Sequence, residues 1–466
     1  MNLGSRLLIA GEMHARLKQH LLPGDGYESA AVLLCKRVES CPEGERYLAR
    51  ELILVPQDQC RERRPEYISW SGEYLETAID QAEQESLSIL LVHSHPGGFL
   101  SFSDTDDDSD CSVIPCLHQA IEVPHGSAIM VGNGAMRARF YQPSMEKQEV
   151  SLVSVIGDDI AYWWGDKLHS NSSLERPVAF TSQMTVELSR LSVAVVGVSG
   201  IGSVVAEQLA RLGFGEIVLI DFDRVEFKNL NRILNSTVND AEQERLKVDM
   251  FAESIVSHRG CGVVEAVSES ILTREAVLRV SKCDVLFSCV DSLEARQVCD
   301  LIASRFLMPL FDAGVTIPTR KTQSSYAIGD VCGRIDYVKP GGATLSDREV
   351  YTPESLRTEY LRNADPVAHE QELNDGYIKG VHEEAPAVIS LNMRAATASV
   401  NEFLARAYPF RHDSNDNYAR TRFSLAACEE EYEAEGSFIK SENVELALGD
   451  REPLLGFPCL GRKRTR

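Results

Sequence analysis

The stretch HSHPGGFLSFSDTD, residues 93–106, concentrates side chains able to do chemistry. The apolar run before it, Leu87–Val92, predicts a buried strand. Continuing that strand puts His93 and His95 on one face, because strand side chains alternate with a period of two. Pro96 and the glycines after it end the strand, and Asp106 lies beyond a short loop. A hydrolytic zinc ion takes three protein ligands and keeps a position for water. His93, His95 and Asp106 offer two imidazoles and a carboxylate for that purpose. The water's proton needs a carboxylate base, and Glu28, just ahead of the strand candidate Ala30–Cys35, is the candidate. Ser103 is the candidate donor to a developing oxyanion. Asp104, Asp107, Asp108 and Asp110 crowd around Asp106; spacing favours Asp106, and the others are expected to face solvent or a basic partner surface.

A second group of candidates begins at GVSGIG, Gly197–Gly202, which follows an apolar strand and opens a helix. Glycines let the backbone approach phosphate, and a helix N-terminus presents unpaired N–H groups. IDFD ends the next strand, with Asp221 placed to bond a ribose. To this point any dinucleotide enzyme fits. RVEFKNLNRILN then adds Asn229 and Arg232, and RLKVDM adds Lys247. Cations beside a glycine turn suit a triphosphate under in-line attack and have no role in hydride transfer, so a nicotinamide oxidoreductase is set aside. Asp291, ending the apolar DVLFSCVD, stands at the carboxyl edge of the sheet, where it could hold Mg²⁺ or orient an attacking carboxylate.

Positioning these groups takes two kinds of architecture. Residues 1–150 alternate a helix at Glu12–Leu22, strands at Ala30–Cys35 and RYLARELILVP, a helix in SGEYLETAIDQAEQES, and strands around AIEVPHGSAIMVG and MRARFYQ. This predicts an α+β domain. Residues 151–175, with aromatics, Gly and Ser but no sustained period, are expected to be a connector. From 176 to 466 the pattern becomes strand, glycine turn, helix and strand, with further parallel strands at VVEAVSE and CDVLFSCVD. A long helix is expected just after Pro386. The second domain is therefore α/β and Rossmann-like, with a mainly parallel sheet.

Bulk properties narrow the function. A net charge of −23 over 466 residues opposes broad nucleic-acid binding. No apolar run approaches the length of a membrane span, and the start becomes charged too soon for a secretory signal. Twelve cysteines without a CxxC pair fit neither a disulfide framework nor a four-thiolate zinc site. A reducing cytoplasm is expected, with most thiols buried. ACEEEYEAEG and the terminal GRKRTR are expected to be solvated.

The pattern HSHP…SDTD, with eleven positions from His95 to Asp106, resembles the JAMM motif of the JAB/MPN metalloprotease family. The resemblance implies cleavage of peptide or isopeptide bonds after ubiquitin-like proteins. It implies Zn²⁺ on His93, His95 and Asp106, Glu28 as general base and Ser103 as oxyanion helper. Ala31 stands where the family often has glycine. Residues from about 176 to 410 resemble the ThiF/MoeB/E1 superfamily, through Gly197, Gly200, Gly202, Asp221, Asp223, Asn229, Arg232, Lys247 and Asp291. That implies ATP- and Mg²⁺-dependent adenylation of the C-terminal carboxylate of a ubiquitin-like or sulfur-carrier protein. Ser199 replaces a frequent glycine, and VKPGGATLSD lacks the cysteines that many relatives place there. Cys332, Cys428 and Cys459 are the downstream thiols; Cys332 is expected in a buried structural role. The pair of domains resembles bacterial E1–JAB fusions of ubiquitin-like conjugation systems, some acting in phage defence, which implies an E2-like partner and a homodimer. Sulfur-carrier maturation, which needs no E1 thiolate, and a non-catalytic ubiquitin-like-binding protein are the alternatives.

Overall fold

A computed structural model describes residues 4–40, 44–166, 176–321, 326–365 and 388–462. The chain divides into two compact units: residues 1–176 with 305–307 and 445–451, and residues 177–304, 308–444 and 452–466.

The first unit contains β1 (Ser5–Ala10), α1 (Gly11–Leu21), β2 (Ala30–Ser40), β3 (Gly44–Leu54), β4 (Cys60–Arg64), β5 (Tyr67–Trp70) and α2 (Glu73–Glu83). It continues with β6 (Ser88–His95), α3 (Asp104–Ala120), β7 (His125–Val131), β8 (Met136–Tyr141), β9 (Lys147–Ile156) and β10 (Ile160–Trp164). Its main sheet runs β1-β3-β2-β6-β7-β8-β9-β10, and an added β1–β9 pairing closes it into a barrel. The connector expected at 151–175 is corrected by this topology. Residues 151–156 belong to β9, and IAYWW pairs antiparallel with it as β10. The alternation there was hidden because both faces of IAYWW carry apolar or aromatic residues. Residues 167–175 lie outside the described residues.

The central strands are buried on both faces, which explains their continuous apolar runs. Ala31, Leu33, Leu90 and Val92 join Tyr47 and Phe140 in one core. Val32, Leu34 and Ile89 form a second core with Ala78 and Ala82 of α2 and Ile114 and Leu117 of α3, against which Leu91 packs. Strand alternation therefore decides where the chemistry sits. His93 and His95 continue the face of Ile89 and Leu91, the side covered by α2 and α3.

The second unit has α4 (Ser182–Leu188), β11 (Ser192–Val196), α5 (Gly200–Leu212), β12 (Glu216–Ile220), α6 (Val238–Glu242), α7 (Lys247–Arg259), β13 (Val264–Val267), α8 (Arg274–Val280) and β14 (Val285–Ser288). It goes on through α9 (Leu293–Arg305), β15 (Leu310–Thr316), β16 (Thr319–Lys321), β17 (Tyr326–Ile328), β18 (Cys332–Val338), α10 (Pro353–Ala364), α11 (Ile389–Ala407), β19 (Arg420–Ser424) and β20 (Glu429–Glu433). The sheet order is β13-β12-β11-β14-β15-β18-β19-β20. The first five strands pair in parallel and the last three antiparallel, a mixed Rossmann-type sheet. The chain runs from β11 to β12 and β13 on one side and crosses back to β14 on the other, so the crevice beside the carboxyl end of β11 is the switch point where such sheets bind ligands. The acidic stretch expected to be solvated includes edge strand β20, whose exposed glutamates disfavour pairing with another chain. Pro386 lies outside the described residues; the helix expected after it is α11.

Candidate functional site

In the first unit, β2 and β6 are antiparallel with Ala30 opposite His93. Extending that register places Ser29 opposite Ser94, and the two are joined by Ser29 N–H to Ser94 Oγ (2.9 Å) and Ser94 N–H to the Ser29 carbonyl (3.1 Å). Glu28 then falls opposite His95, on the histidines' own face. Two further bonds hold this entry to β2: Glu28 N–H donates to the Arg64 carbonyl (3.0 Å), and Arg63 Nε donates to the Glu28 carbonyl (2.8 Å).

The result is convergence. Glu28, His93 and His95 each bring a ligand atom within 4.8 Å of the others. His93 Nε2 lies 3.0 Å from His95 Nε2 and 3.0 Å from Asp106 Oδ1, while His95 Nε2 lies 3.5 Å from Asp106 Oδ2. His95 Nδ1 donates to the Phe99 carbonyl (2.9 Å). A carbonyl can only accept, so this bond fixes a proton on Nδ1 and turns Nε2 into the cluster, where it is a lone pair in the neutral ring and a donor to Asp106 in the protonated one. Two imidazole nitrogens and carboxylate oxygens facing one another form a donor set that a divalent cation satisfies. Either Asp106 or Glu28 can complete a triad with the histidines.

The electrostatics separate the two carboxylates. Glu28 is 5% exposed, and burial pushes its pKa up to about 7 against the opposing pull of the two histidines. Burial acts the same way on Asp106 but is outweighed by hydrogen bonds from His93 and His95, which hold that carboxyl well below the ordinary range. Burial lowers His95, yet its bonds to Asp106 and the Phe99 carbonyl outweigh this and raise it. A carboxyl poised near neutrality suits proton transfer, and a fully ionised one suits a ligand.

Ser103 is the N-cap of α3. Its hydroxyl accepts from Asp106 N–H (3.2 Å) and donates to Asp106 Oδ2 (2.9 Å), while its own N–H donates to the same oxygen (2.7 Å). In this arrangement the serine holds Asp106. The expectation that the neighbouring aspartates face solvent is corrected at Asp110, which is 3% exposed and bonded to Ser127 and Arg139. Asp107 is exposed but is also paired with Arg139.

In the second unit, β11 ends at Val196 and is followed by Gly197, whose φ of +85° favours glycine. A Cβ on Gly202 would lie 1.7 Å from the Gly197 carbonyl oxygen, so the turn closes only with glycine at 202. Ser199 makes no side-chain cap, which leaves the first-turn N–H groups of α5 without a side-chain acceptor. Such an end suits an anion.

Asp221 serves this turn. Oδ2 accepts Val198 N–H (2.7 Å) and Oδ1 accepts Asp223 N–H (2.9 Å). Burial raises its pKa, opposed by Lys247. Lys247 Nζ, almost wholly buried, pairs with Asp223 Oδ2 at 2.6 Å. Arg232 comes beside the turn, with Cδ 3.4 Å from a Cβ built on Gly200, and its guanidinium donates to the Lys228 carbonyl (2.9 Å). Asn229 is buried and accepts Glu226 N–H (3.0 Å). A Cβ on Gly197 would meet the Cys289 carbonyl oxygen at 2.7 Å and Val290 N at 3.2 Å, which brings the segment preceding Asp291 against the turn.

Asp291 is exposed and lines a cavity of about 690 Å³ with Arg296, Arg334, Arg420 and Cys332. Arg296 bonds the Val290 carbonyl (2.6 Å) and pairs with fully buried Asp312, so it anchors the segment carrying Asp291. Sequence reasoning missed it; its position one turn into the helix after Asp291 was the available signal. The cysteines also need correction. Among the described residues, Cys111, Cys116, Cys261, Cys428 and Cys459 are exposed, and only Cys35, Cys283 and Cys299 are buried. Cys332 opens β18 and is half-buried. Cys289, beside the glycine turn, has its thiol pushed well above the ordinary range by burial.

Comparison with known proteins divides the chain similarly. Residues 11–142 match the prokaryotic homologs of the JAB domain, and residues 174–348 match the ThiF family. Among curated proteins, ubiquitin-like modifier-activating enzyme 5 of Caenorhabditis briggsae is 32% identical over 161 residues, covering 32% of this chain and 34% of that protein. The same enzyme of Oryza sativa subsp. japonica is 31% identical over 138 residues, covering 27% and 32%. The chain thus spans about a third of the length of these relatives. A solved structure of E. coli MccB with succinimide has 15% identity and a TM-score of 0.43, covering 56% of this chain and 68% of that one. Among the described residues no helix is long and apolar enough to cross a membrane.

Proposed function

We propose that this chain, a JAB/MPN-like domain fused to a ThiF/MoeB/E1-like domain, processes and activates the C-terminal end of a small carrier protein. The first domain hydrolyses a peptide or isopeptide bond there. The second joins the freed carboxylate to AMP from ATP. The observation that carries the reading is the convergence of Glu28, His93, His95 and Asp106 on one face at the end of β6.

In the hydrolytic step His93, His95 and Asp106 would hold zinc, which when bound polarises water and the scissile carbonyl. Glu28 takes a proton from the attacking water and passes it to the leaving amine as the C–N bond breaks. Ser103 keeps Asp106 in place and would donate its hydroxyl to the developing oxyanion. In the adenylating step the carrier's carboxylate attacks the α-phosphate and pyrophosphate leaves. The uncapped N-terminus of α5 and the turn at Gly197, Gly200 and Gly202 receive phosphate, Arg232 and Lys247 supply positive charge, and Asp291 would hold Mg²⁺.

Cys289 and Cys332, the thiols beside the candidate nucleotide site, favour a reading in which the acyl-adenylate is the end product of this chain, and exposed Cys428 and Cys459 are where a thioester would contradict it. Burial raises both Cys289 beside the turn and Cys332 in the Asp291 cavity away from the thiolate form. Sulfur-carrier activation for cofactor or small-molecule synthesis needs no enzyme thioester, whereas ubiquitin-like conjugation, in phage defence or elsewhere, passes through one. Intact-mass analysis of candidate carriers incubated with chain and ATP tests this. Loss of a C-terminal extension and pyrophosphate release without a reductant-sensitive adduct support the first reading. A thioester on the chain supports conjugation, and no change to any carrier contradicts both.

A further inference from the structure

We infer that Arg139 is a positioning residue for the metal-type cluster, locking the N-terminal half of α3 so that Asp106 meets the two histidines. The inference rests on the zinc-hydrolase reading and extends it to a residue on β8, away from HSHP…SDTD.

The capping box with Ser103 fixes Asp106 relative to its own helix, leaving the placement of that helix on the barrel to other contacts. The apolar anchors of α3, Ile114 and Leu117, lie in its second half. In its first ten residues, 104–113, the single buried residue is Asp110. Pro115 weakens the link between the halves, because it has no N–H to offer the Cys111 carbonyl. The site-bearing half of α3 therefore lacks a hydrophobic attachment of its own.

Arg139 supplies a polar one. It is 1% exposed, and its guanidinium reaches three points that bracket Asp106 in sequence. Nε donates to Asp110 Oδ2 (2.9 Å), with a second nitrogen 2.6 Å from the same oxygen. NH1 donates to Asp107 Oδ1. The ring of Phe102, adjacent to the N-cap, lies 3.8 Å from the guanidinium carbon. Ser127, opposite Arg139 in β7 and beside Leu91 of β6, donates to Asp110 Oδ2 (2.6 Å) and accepts from Arg139 Nε (3.1 Å). The tether thus runs from α3 through β8 and β7 to the strand that carries the histidines. A planar fork with several fixed donors sets direction as well as distance, which a lysine cannot do.

The test replaces the buried pair together, Arg139→Met with Asp110→Leu in the full chain, so that no unpaired charge is left inside. Zinc affinity is measured by chelator competition and ligand geometry by the cobalt(II) absorption spectrum, with near-ultraviolet circular dichroism reporting the fold. We expect a native dichroism spectrum, zinc affinity lowered about 10- to 100-fold, and a cobalt spectrum moved toward that of Asp106→Ala. Arg139→Lys should fail to restore affinity. Asp107→Asn, at an exposed site, should lower affinity several-fold with the fold intact and gives the answer if the double variant does not fold. Zinc affinity and a cobalt spectrum equal to those of the unaltered chain in these variants overturn the inference alone. An unaltered chain that takes up no zinc overturns the metal-centre reading and the inference together.

Discussion

The two candidate sites hold their ligands by opposite means. In the first unit the donors are side chains brought together from a strand end, a strand entry and a helix, and the N-terminus of α3 is closed by Ser103. In the second unit the turn after β11 is backbone, and the N-terminus of α5 has no side-chain cap. A site made of side chains depends on tethers that fix each one, such as the Ser29–Ser94 pair, the Phe99 carbonyl and Arg139. A site made of backbone depends on the absence of side chains, because its atoms already touch at Gly197 and Gly202. Ligand and tether substitutions should therefore dominate in the first unit, and additions of a methyl group in the second.

The largest expected effect sharpens the first half of this contrast. Glu28→Gln keeps size and loses the base, so cleavage should fall about 10²- to 10⁴-fold while zinc content and pyrophosphate exchange stay unchanged. Undiminished turnover contradicts its role. Gly202→Ala probes the second half. Its new Cβ meets the Gly197 carbonyl oxygen at 1.7 Å, and pyrophosphate exchange should drop roughly 100-fold, the equivalent of about 3 kcal/mol of overpacking. Normal exchange would show that the turn relaxes freely. Asp291→Ala should likewise stop exchange without releasing zinc.

A smaller effect concerns the barrel beneath the cluster. His125 is buried; its Nδ1 accepts Ile89 N–H (2.9 Å) and its Nε2 donates to the Ile121 carbonyl (3.0 Å). Protonation would set one N–H against another, and burial lowers this histidine to about 4. The folded value lies below the unfolded one, so its contribution is complete above about pH 6.5 and is lost as pH falls from there to about 4. The loss amounts to about 3 kcal/mol. His125→Gln should flatten the urea midpoint between pH 7 and pH 4.5 relative to the unaltered chain; identical pH dependence contradicts the assignment. For fold stability alone, read as the urea midpoint at pH 7, Ser103→Ala should be mildest, about 1 kcal/mol from a lost cap, with Ser103→Thr restoring it and an unchanged midpoint contradicting the cap.

Much of this arrangement was legible in local sequence. Strand alternation put His93 and His95 together, and GVSGIG after an apolar strand announced the turn that Arg232 approaches. The hidden parts depend on contacts distant in the chain. Asp110 looks like its acidic neighbours until Arg139, on another strand, buries it. IAYWW joins the barrel by pairing with β9, and Arg296 gains its role by bonding the Val290 carbonyl in front of Asp291. The bonds from Val198 N–H and Asp223 N–H to the two oxygens of Asp221 are likewise set by the three-dimensional path of the loops.

The most direct test is the zinc content of the purified full chain compared with that of His93→Ala/His95→Ala. The account predicts one tightly held zinc per unaltered chain, its loss in the double variant, and pyrophosphate exchange retained in both. Equal zinc in the two proteins, or none in either, would contradict it.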